Sequence, residues 1–208
     1  MNENINEVSE KRTYVPDKTV YHTTLQRLIE DDNMMTTLIA IRLGCELGMT
    51  RLEIVNAKVN DLDRINRRGL SVEVAKRVRR GTTKKNGVKI PKFQMRQREI
   101  PVNSSLYQLL KAYVRGSGVY ILQRERGDDD KPFHVDMINK MYDSAKIPWG
   151  THKSRHYFKS QVWAWMIRNR RPDEAVLKEL MGHKKDVHQS YGEYPWDYKL
   201  EIVDGTFQ

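Results

Sequence analysis

One cysteine, Cys45, stands among 208 residues. No disulfide can form within the chain, and this usage fits a reducing compartment. No apolar run approaches the roughly 18 residues that span a bilayer. The polar, acidic opening "MNENINEVSE" has neither the basic nor the apolar region of a secretory or transit signal. The expectation is a soluble protein of the cell interior with no membrane partner. Internal repeats and low-complexity tracts are also missing, so neither a repeat array nor a compositionally biased linker is indicated.

What the chain has is a core and an excess of positive charge. Hydrophobic residues make up 38% and aromatics 9%, with four tryptophans, enough for a sizeable core. Lys and Arg number 37 against 27 Asp and Glu, a net charge of +10 that favours a polyanionic partner, nucleic acid before an acidic membrane surface. The excess has an address. Residues 76–98, "KRVRRGTTKKNGVKIPKFQMRQR", hold ten basic residues and no acidic one: Lys76, Arg77, Arg79, Arg80, Lys84, Lys85, Lys89, Lys92, Arg96 and Arg98. The rest of the chain is balanced. "KKNG" is a turn signal, so this stretch predicts a long β-hairpin or ribbon; the bland reading is a solvated charged loop.

Around it the periodicity is mostly helical. Residues 1–19 lack a stripe and read as a flexible arm. Leu25, Leu28 and Ile29 mark one helix and Met35, Leu38, Ile39 and Leu43 a second; "RLEIVNAKVNDLD" opens a third, running to Asn60-Asp61. "GLSVEVA" (69–75) alternates as a strand, "REIPVN" (98–103) is a second extended piece, and "GVYILQ" reads as a third strand. Helices are predicted after an Asn103 or Ser104 cap, over 134–145, and from a Thr151 cap with Phe158, Val162, Trp165 and Met166 on its apolar face. A last helix has Pro172 in its first turn and stops at Gly182. The fold class is mainly α with a small antiparallel sheet (α+β), the sheet having three strands at one edge.

The segment "GTHKSRHYF" (150–158) crowds His152, Arg155 and His156 at a helix start. His152 and Arg155, three apart, share a face, and a helix N-terminus offers free N–H groups and a positive dipole end to an anion such as phosphate. His152 and His156 stand four apart, as metal ligands do. However, the glutamate of metallohydrolase helices is missing, and the intervening lysine and arginine repel a dication. Simple capping by solvated polar groups is the third reading.

Further along, "LMGHKKDVHQSYGEY" (180–194) carries His183 just past Gly182 and Tyr191 eight residues on. The series H-x-x-R-H-Y-F, then L-M-G-H, then tyrosine resembles the tyrosine recombinase (phage integrase) family. "LGMTRLEIVNAKVNDLD" is similar to that family's first arginine motif, and "LSVEVAK" to its strand ending in the active-site lysine. The resemblance covers about residues 20–195, an expected catalytic domain. It implies that Arg51 and Arg155 hold the scissile phosphate, that His152 and His183 assist, that Lys76 is the hairpin lysine and that Tyr191 is the nucleophile. The acidic residue, Glu53, follows Arg51 by two positions instead of three, leaving the alignment of Arg51 open by one. The short His183–Tyr191 spacing keeps Tyr194 in contention, and the long ribbon makes Lys84 and Lys85 rivals to Lys76.

The implied activity is site-specific recombination through a 3′-phosphotyrosine link, without metal, ATP or other cofactor. The implied partner is double-stranded DNA, bound as a homo-tetramer on synapsed sites, with a monomer in isolation. Arg77, Arg79, Arg80, Lys84, Lys85, Lys89 and Lys92 would track the backbone. The implied location is the cytoplasm (nucleoid), or a host's cytoplasm for a mobile element. The alternatives are relaxation of DNA in the manner of a type IB topoisomerase, and a non-catalytic DNA-binding protein of the same fold. The tail, 196–208, carries Trp196, Leu200, Ile202 and Val203; it either docks on a neighbouring protomer or covers its own core.

Overall fold

The computed structural model describes residues 14–63, 67–73, 78–85, 88–94, 97–114, 118–122, 131–183 and 194–208, with backbone alone in 78–85 and 88–94. In chain order these form α1 (Lys18–Ile29), α2 (Met35–Leu47), α3 (Arg51–Asn56), β1 (Gly69–Glu73), β2 (Val78–Lys85), β3 (Val88–Gln94), β4 (Gln97–Pro101), α4 (Ser104–Tyr113), α5 (Asp136–Ser144), α6 (Thr151–Arg168), α7 (Glu174–Leu180) and α8 (Trp196–Phe207). The class is the expected one, mainly helical with a small antiparallel component.

Helix α2 is the axis. Its sequence shows one apolar stripe, yet nearly every residue from Thr37 to Leu47 is buried, because neighbouring elements surround it. Glu46, buried within it, accepts hydrogen bonds from the Tyr21 hydroxyl (2.6 Å), Arg42 Nε (2.6 Å) and Asn103 Nδ2 (2.6 Å). A carboxylate at this depth survives only with such partners. Here they tie α1 and the start of α4 to α2, since Asn103 Oδ1 also accepts from Leu106 N and so caps α4. On another side, α6 buries Ser154, whose Oγ meets the Tyr142 hydroxyl (2.8 Å) and Trp149 Nε1 (3.1 Å). As predicted, Phe158, Val162, Trp165 and Met166 form the inward face of α6.

The strands depart from expectation. Among the described residues they form two two-stranded antiparallel sheets, β1–β4 and β2–β3, in place of a three-stranded one. The basic stretch pairs on itself, with Lys84 opposite Lys89 and an irregularity between Arg79 and Thr82. The 118–122 segment makes only an isolated bridge, Lys58 to Tyr120. That bridge also shortens the third helix. Ala57 turns extended (φ −64°, ψ 124°), its carbonyl accepts from Ile121 N (2.8 Å), and Val59 N donates to Val119 O (3.0 Å). Backbone pairing across the chain thus breaks the α-helix predicted to reach Asp61, and Val59–Asp61 follow as a separate 3-10 turn.

Two caps also move. Gly150, not Thr151, is the N-cap of α6, and the Thr151 hydroxyl faces Asn139 Oδ1 (3.2 Å). Asp173 caps α7 through Ala175 N (2.9 Å), which leaves Pro172 outside the helix. The tail forms α8, whose Ile202 and Val203 are fully buried in one cluster with Val162 and Met166 of α6 and Val176 of α7. Asp204 fixes it further, accepting from Arg68 Nη2 (2.7 Å) and Ser104 N (2.9 Å). Among the described residues no helix is long and apolar enough to cross a membrane.

Candidate active site

The site begins where α2 ends. Gly48 takes the left-handed conformation (φ +61°), and a Cβ there would lie 2.7 Å from Phe158 Cδ1, so both backbone and space call for glycine. Two residues later Thr50 caps α3 in a reciprocal box: its hydroxyl accepts from Glu53 N (3.4 Å), and Glu53 Oε2 accepts from Thr50 N (2.7 Å). Arg51 is therefore the first helical residue. Its side chain is 40% exposed, with Nη1 3.9 Å from Asp136 Oδ1 at the start of α5. An exposed pair at that distance holds it weakly.

Glu53 is the opposite case. Its side chain is only 2% exposed, and two guanidiniums face it: Arg98 Nη2 at 3.2 Å from β4, and Arg155 Nη1 at 3.8 Å from α6. Both arginines also donate to the Gly48 carbonyl. Arg155 Nη2 donates to Met181 O, and Arg98 Nη1 donates to Leu180 O (2.6 Å), where α7 ends. Burial pulls the Arg155 pKa down, and the Glu53 carboxylate works against that. Gly182 then turns the chain (φ +66°), as its place in the sequence predicts, and His183 follows with its N–H on Lys178 O (2.9 Å) and its side chain exposed. Arg155 thus joins the turn that introduces Arg51 to the turn that introduces His183.

His152 lies exposed in the first turn of α6, its ring 4.8 Å from that of His156 in an edge-on arrangement. Burial, then the neighbouring His152, lowers the His156 pKa. Among the described residues, no group of three or more His, Cys, Asp or Glu side chains is placed to hold a metal ion. Tyr194 donates its hydroxyl to Asp173 Oδ2 (2.8 Å), which, with some burial, pushes its pKa up to about 12.

Lys76, Arg77 and Tyr191 lie outside the described residues. Arg79, Arg80, Lys84 and Lys85 lie on β2, and Lys89 and Lys92 on β3, where the backbone alone is described. In the sequence Arg98 is one of ten ribbon charges, and Glu53 serves only to align Arg51. A signal for Arg98 was present: it is in phase with Ile100 and Val102, so strand alternation turns it inward.

No protein-family model and no curated protein matches the chain. Solved structures do. An integrase from mycobacterium phage Brujita matches at 18% identity and a TM-score of 0.59, over 95% of this chain and 61% of that one. The Tn1549 transposon integrase matches in complex with circular intermediate DNA at 18% identity and 0.55, over 88% and 62%. A single-substitution variant of that integrase, in complex with transposon right end DNA, matches at 17% and 0.55, over 91% and 60%. The chain spans about three fifths of the length of each. At this identity the likeness is one of fold, and the fold is that of phage and transposon integrases.

Proposed function

We propose that the chain is a site-specific DNA recombinase acting through a tyrosine nucleophile, with residues 20–195 as its catalytic domain. The observation that supports this most is the position of Arg155. The arginine of the H-x-x-R box meets both the Gly48–Glu53 turn of the first arginine motif and the Met181–His183 turn of the L-M-G-H motif. Segments 107 residues before Arg155 and 26 residues after it meet at its guanidinium, in a fold shared with integrases solved on DNA.

In this reading a phosphodiester lies over Arg155 and Arg51, whose planar forks suit its non-bridging oxygens and the charge that grows on them. The Tyr191 hydroxyl, with an ordinary pKa of about 10, gives up its proton with help from His152 and attacks phosphorus. The P–O bond to the 5′ oxygen breaks, and Lys76 supplies that oxygen with a proton. His183 donates to a non-bridging oxygen. The 3′-phosphotyrosine conserves the bond energy, so a free 5′ hydroxyl on another strand reverses the step without ATP. The basic residues of the ribbon from Arg77 to Lys92 neutralise backbone phosphates, making binding steeply salt-dependent. Synapsis as a tetramer, in whichever compartment holds the DNA, belongs to the same reading.

The test is covalent trapping. The chain is mixed with a pool of nicked duplexes of randomised sequence and then denatured. DNA retained on denatured protein supports the reading; DNA bound before denaturation but never after it indicates a binding protein. Relaxation of plasmids of any sequence, with no exchange between two copies of a trapped site, indicates the topoisomerase alternative.

A further inference from the structure

Arg98 is assigned no part in the reaction above, yet among the described residues it is the most enclosed cation of the site. Its side chain is 6% exposed. Gly182 lies against its stem so closely that a Cβ at 182 would sit 2.4 Å from Arg98 Cδ. Its guanidinium has the same neighbours as that of Arg155. Both donate to Gly48 O, both face Glu53 Oε2, and each takes one of the two consecutive carbonyls, Leu180 and Met181, that close α7.

Among the described residues, two guanidiniums therefore face one buried carboxylate. The shorter contact, 3.2 Å against 3.8 Å, belongs to Arg98. Attraction between opposite charges at such distances is much stronger in a partly buried site than in water. Without Arg98, Glu53 would have Arg155 as its counter-ion, and Arg155 would be drawn to the carboxylate and away from solvent. With Arg98 in place, the carboxylate is already neutralised and the charge of Arg155 stays available to an arriving anion. We infer that Arg98 is a positioning residue: by pairing with Glu53 it leaves the charge of Arg155, which the Gly48 and Met181 carbonyls hold in place, uncompensated for the DNA phosphate. This rests on the recombinase reading, and it adds a residue that contacts no DNA itself.

The test is a charge-removal cycle on the full chain, with adduct yield on the nicked pool, duplex affinity and thermal melting measured for every variant. Arg98→Met should lower the rate of adduct formation by about 10²-fold, the scale of losing one oxyanion-stabilising donor, with only a small change in duplex affinity. Adding Glu53→Gln should recover most of that loss, because the amide keeps the Thr50 cap but no longer competes for Arg155. Wild-type adduct rates in Arg98→Met, or no recovery in the double variant, would overturn the inference. If Arg98→Met does not fold, the double variant is compared with Glu53→Gln alone. Equal rates support action through Glu53, and a further tenfold loss refutes it. A second readout does not need cleavage. The Arg155 Nε–H resonance, assigned with Arg155→Lys, should shift on adding a short duplex to wild type and to the double variant, but not to Arg98→Met. If wild type gives no adduct while this pattern holds, the recombinase reading fails and the positioning role stands. A shift in all three proteins removes the positioning role.

Discussion

The guanidinium of Arg155 donates to the carbonyl of Gly48, the residue that ends α2 in the left-handed conformation. One helix thus holds its arginine by the turn that starts another. The stability of that turn and the placement of the arginine are the same problem.

Gly48→Ala tests this link. A left-handed alanine costs about 1–2 kcal/mol, and its Cβ would press on Phe158 Cδ1 at 2.7 Å, adding about 1–3 kcal/mol of overpacking. Thermal melting should fall accordingly, and adduct formation should fall more than the folded fraction does. An alanine variant with unchanged melting and activity would contradict the turn's role.

Arg155→Ala should lower the single-turnover rate of adduct formation by about 10²–10³-fold. Arg155→Lys should be less damaged but still poor, because an ammonium keeps the charge and loses the planar fork. Near-normal rates in both variants would reduce Arg155 to a structural cation.

Tyr194 is a poor nucleophile where it stands. Its hydroxyl is committed to Asp173, and that bond, with burial, raises its pKa to about 12. Tyr194→Phe should keep adduct formation within a few-fold of wild type, whereas Tyr191→Phe should abolish it and leave duplex affinity intact. Loss of the adduct in Tyr194→Phe alone would transfer the role.

Alkali should unfold the protein early. Burial, then the Asp63 hydrogen bond, lifts Tyr107 to about 12, and burial with the Glu46 carboxylate raises Tyr21 well above its usual range. Below about pH 10 these phenols are protonated both in the fold and in the unfolded chain, so their contribution to stability is fully present and does not change with pH. Above it the unfolded chain ionises first, so the stability from these groups is lost as pH rises through their folded pKa values. The melting temperature should hold to about pH 9.5 and then drop, less steeply in Tyr21→Phe. A flat profile to pH 11.5 would contradict this.

Truncation after Tyr194 removes α8, with Ile202 and Val203 fully buried and Asp204 bridging Arg68 and Ser104. Each aliphatic contributes about 1.5–3 kcal/mol, a large part of an ordinary domain's stability of about 5–15 kcal/mol. Circular dichroism should show a truncated chain that is largely unfolded at 37 °C. A folded one would mean that α8 matters mainly elsewhere.

What was legible in the sequence was what local pattern controls. The 3.6-residue stripe of α6, the Asn103 cap and the glycine stop at Gly182 are each written within a few residues. The misses come from distant partners. Ala57 leaves its helix because Ile121 supplies a donor 64 residues away, and α2 is buried on all sides because other elements enclose it. Around the candidate site, the helix start that carries His152 and Arg155 was readable from local pattern, whereas the Glu53–Arg98 pair was not. The two residues lie 45 positions apart, and Arg98 is one arginine among many until the β1–β4 register turns it inward.

The central claim is that a tyrosine of this chain becomes covalently joined to DNA. Its most direct test is peptide mapping of the denatured complex formed with the nicked pool, after nuclease digestion, by mass spectrometry. The predicted result is a nucleotide remnant linked through a 3′ phosphate to Tyr191, present in the wild-type chain and missing in Tyr191→Phe. DNA binding without any tyrosine-linked nucleotide would contradict it.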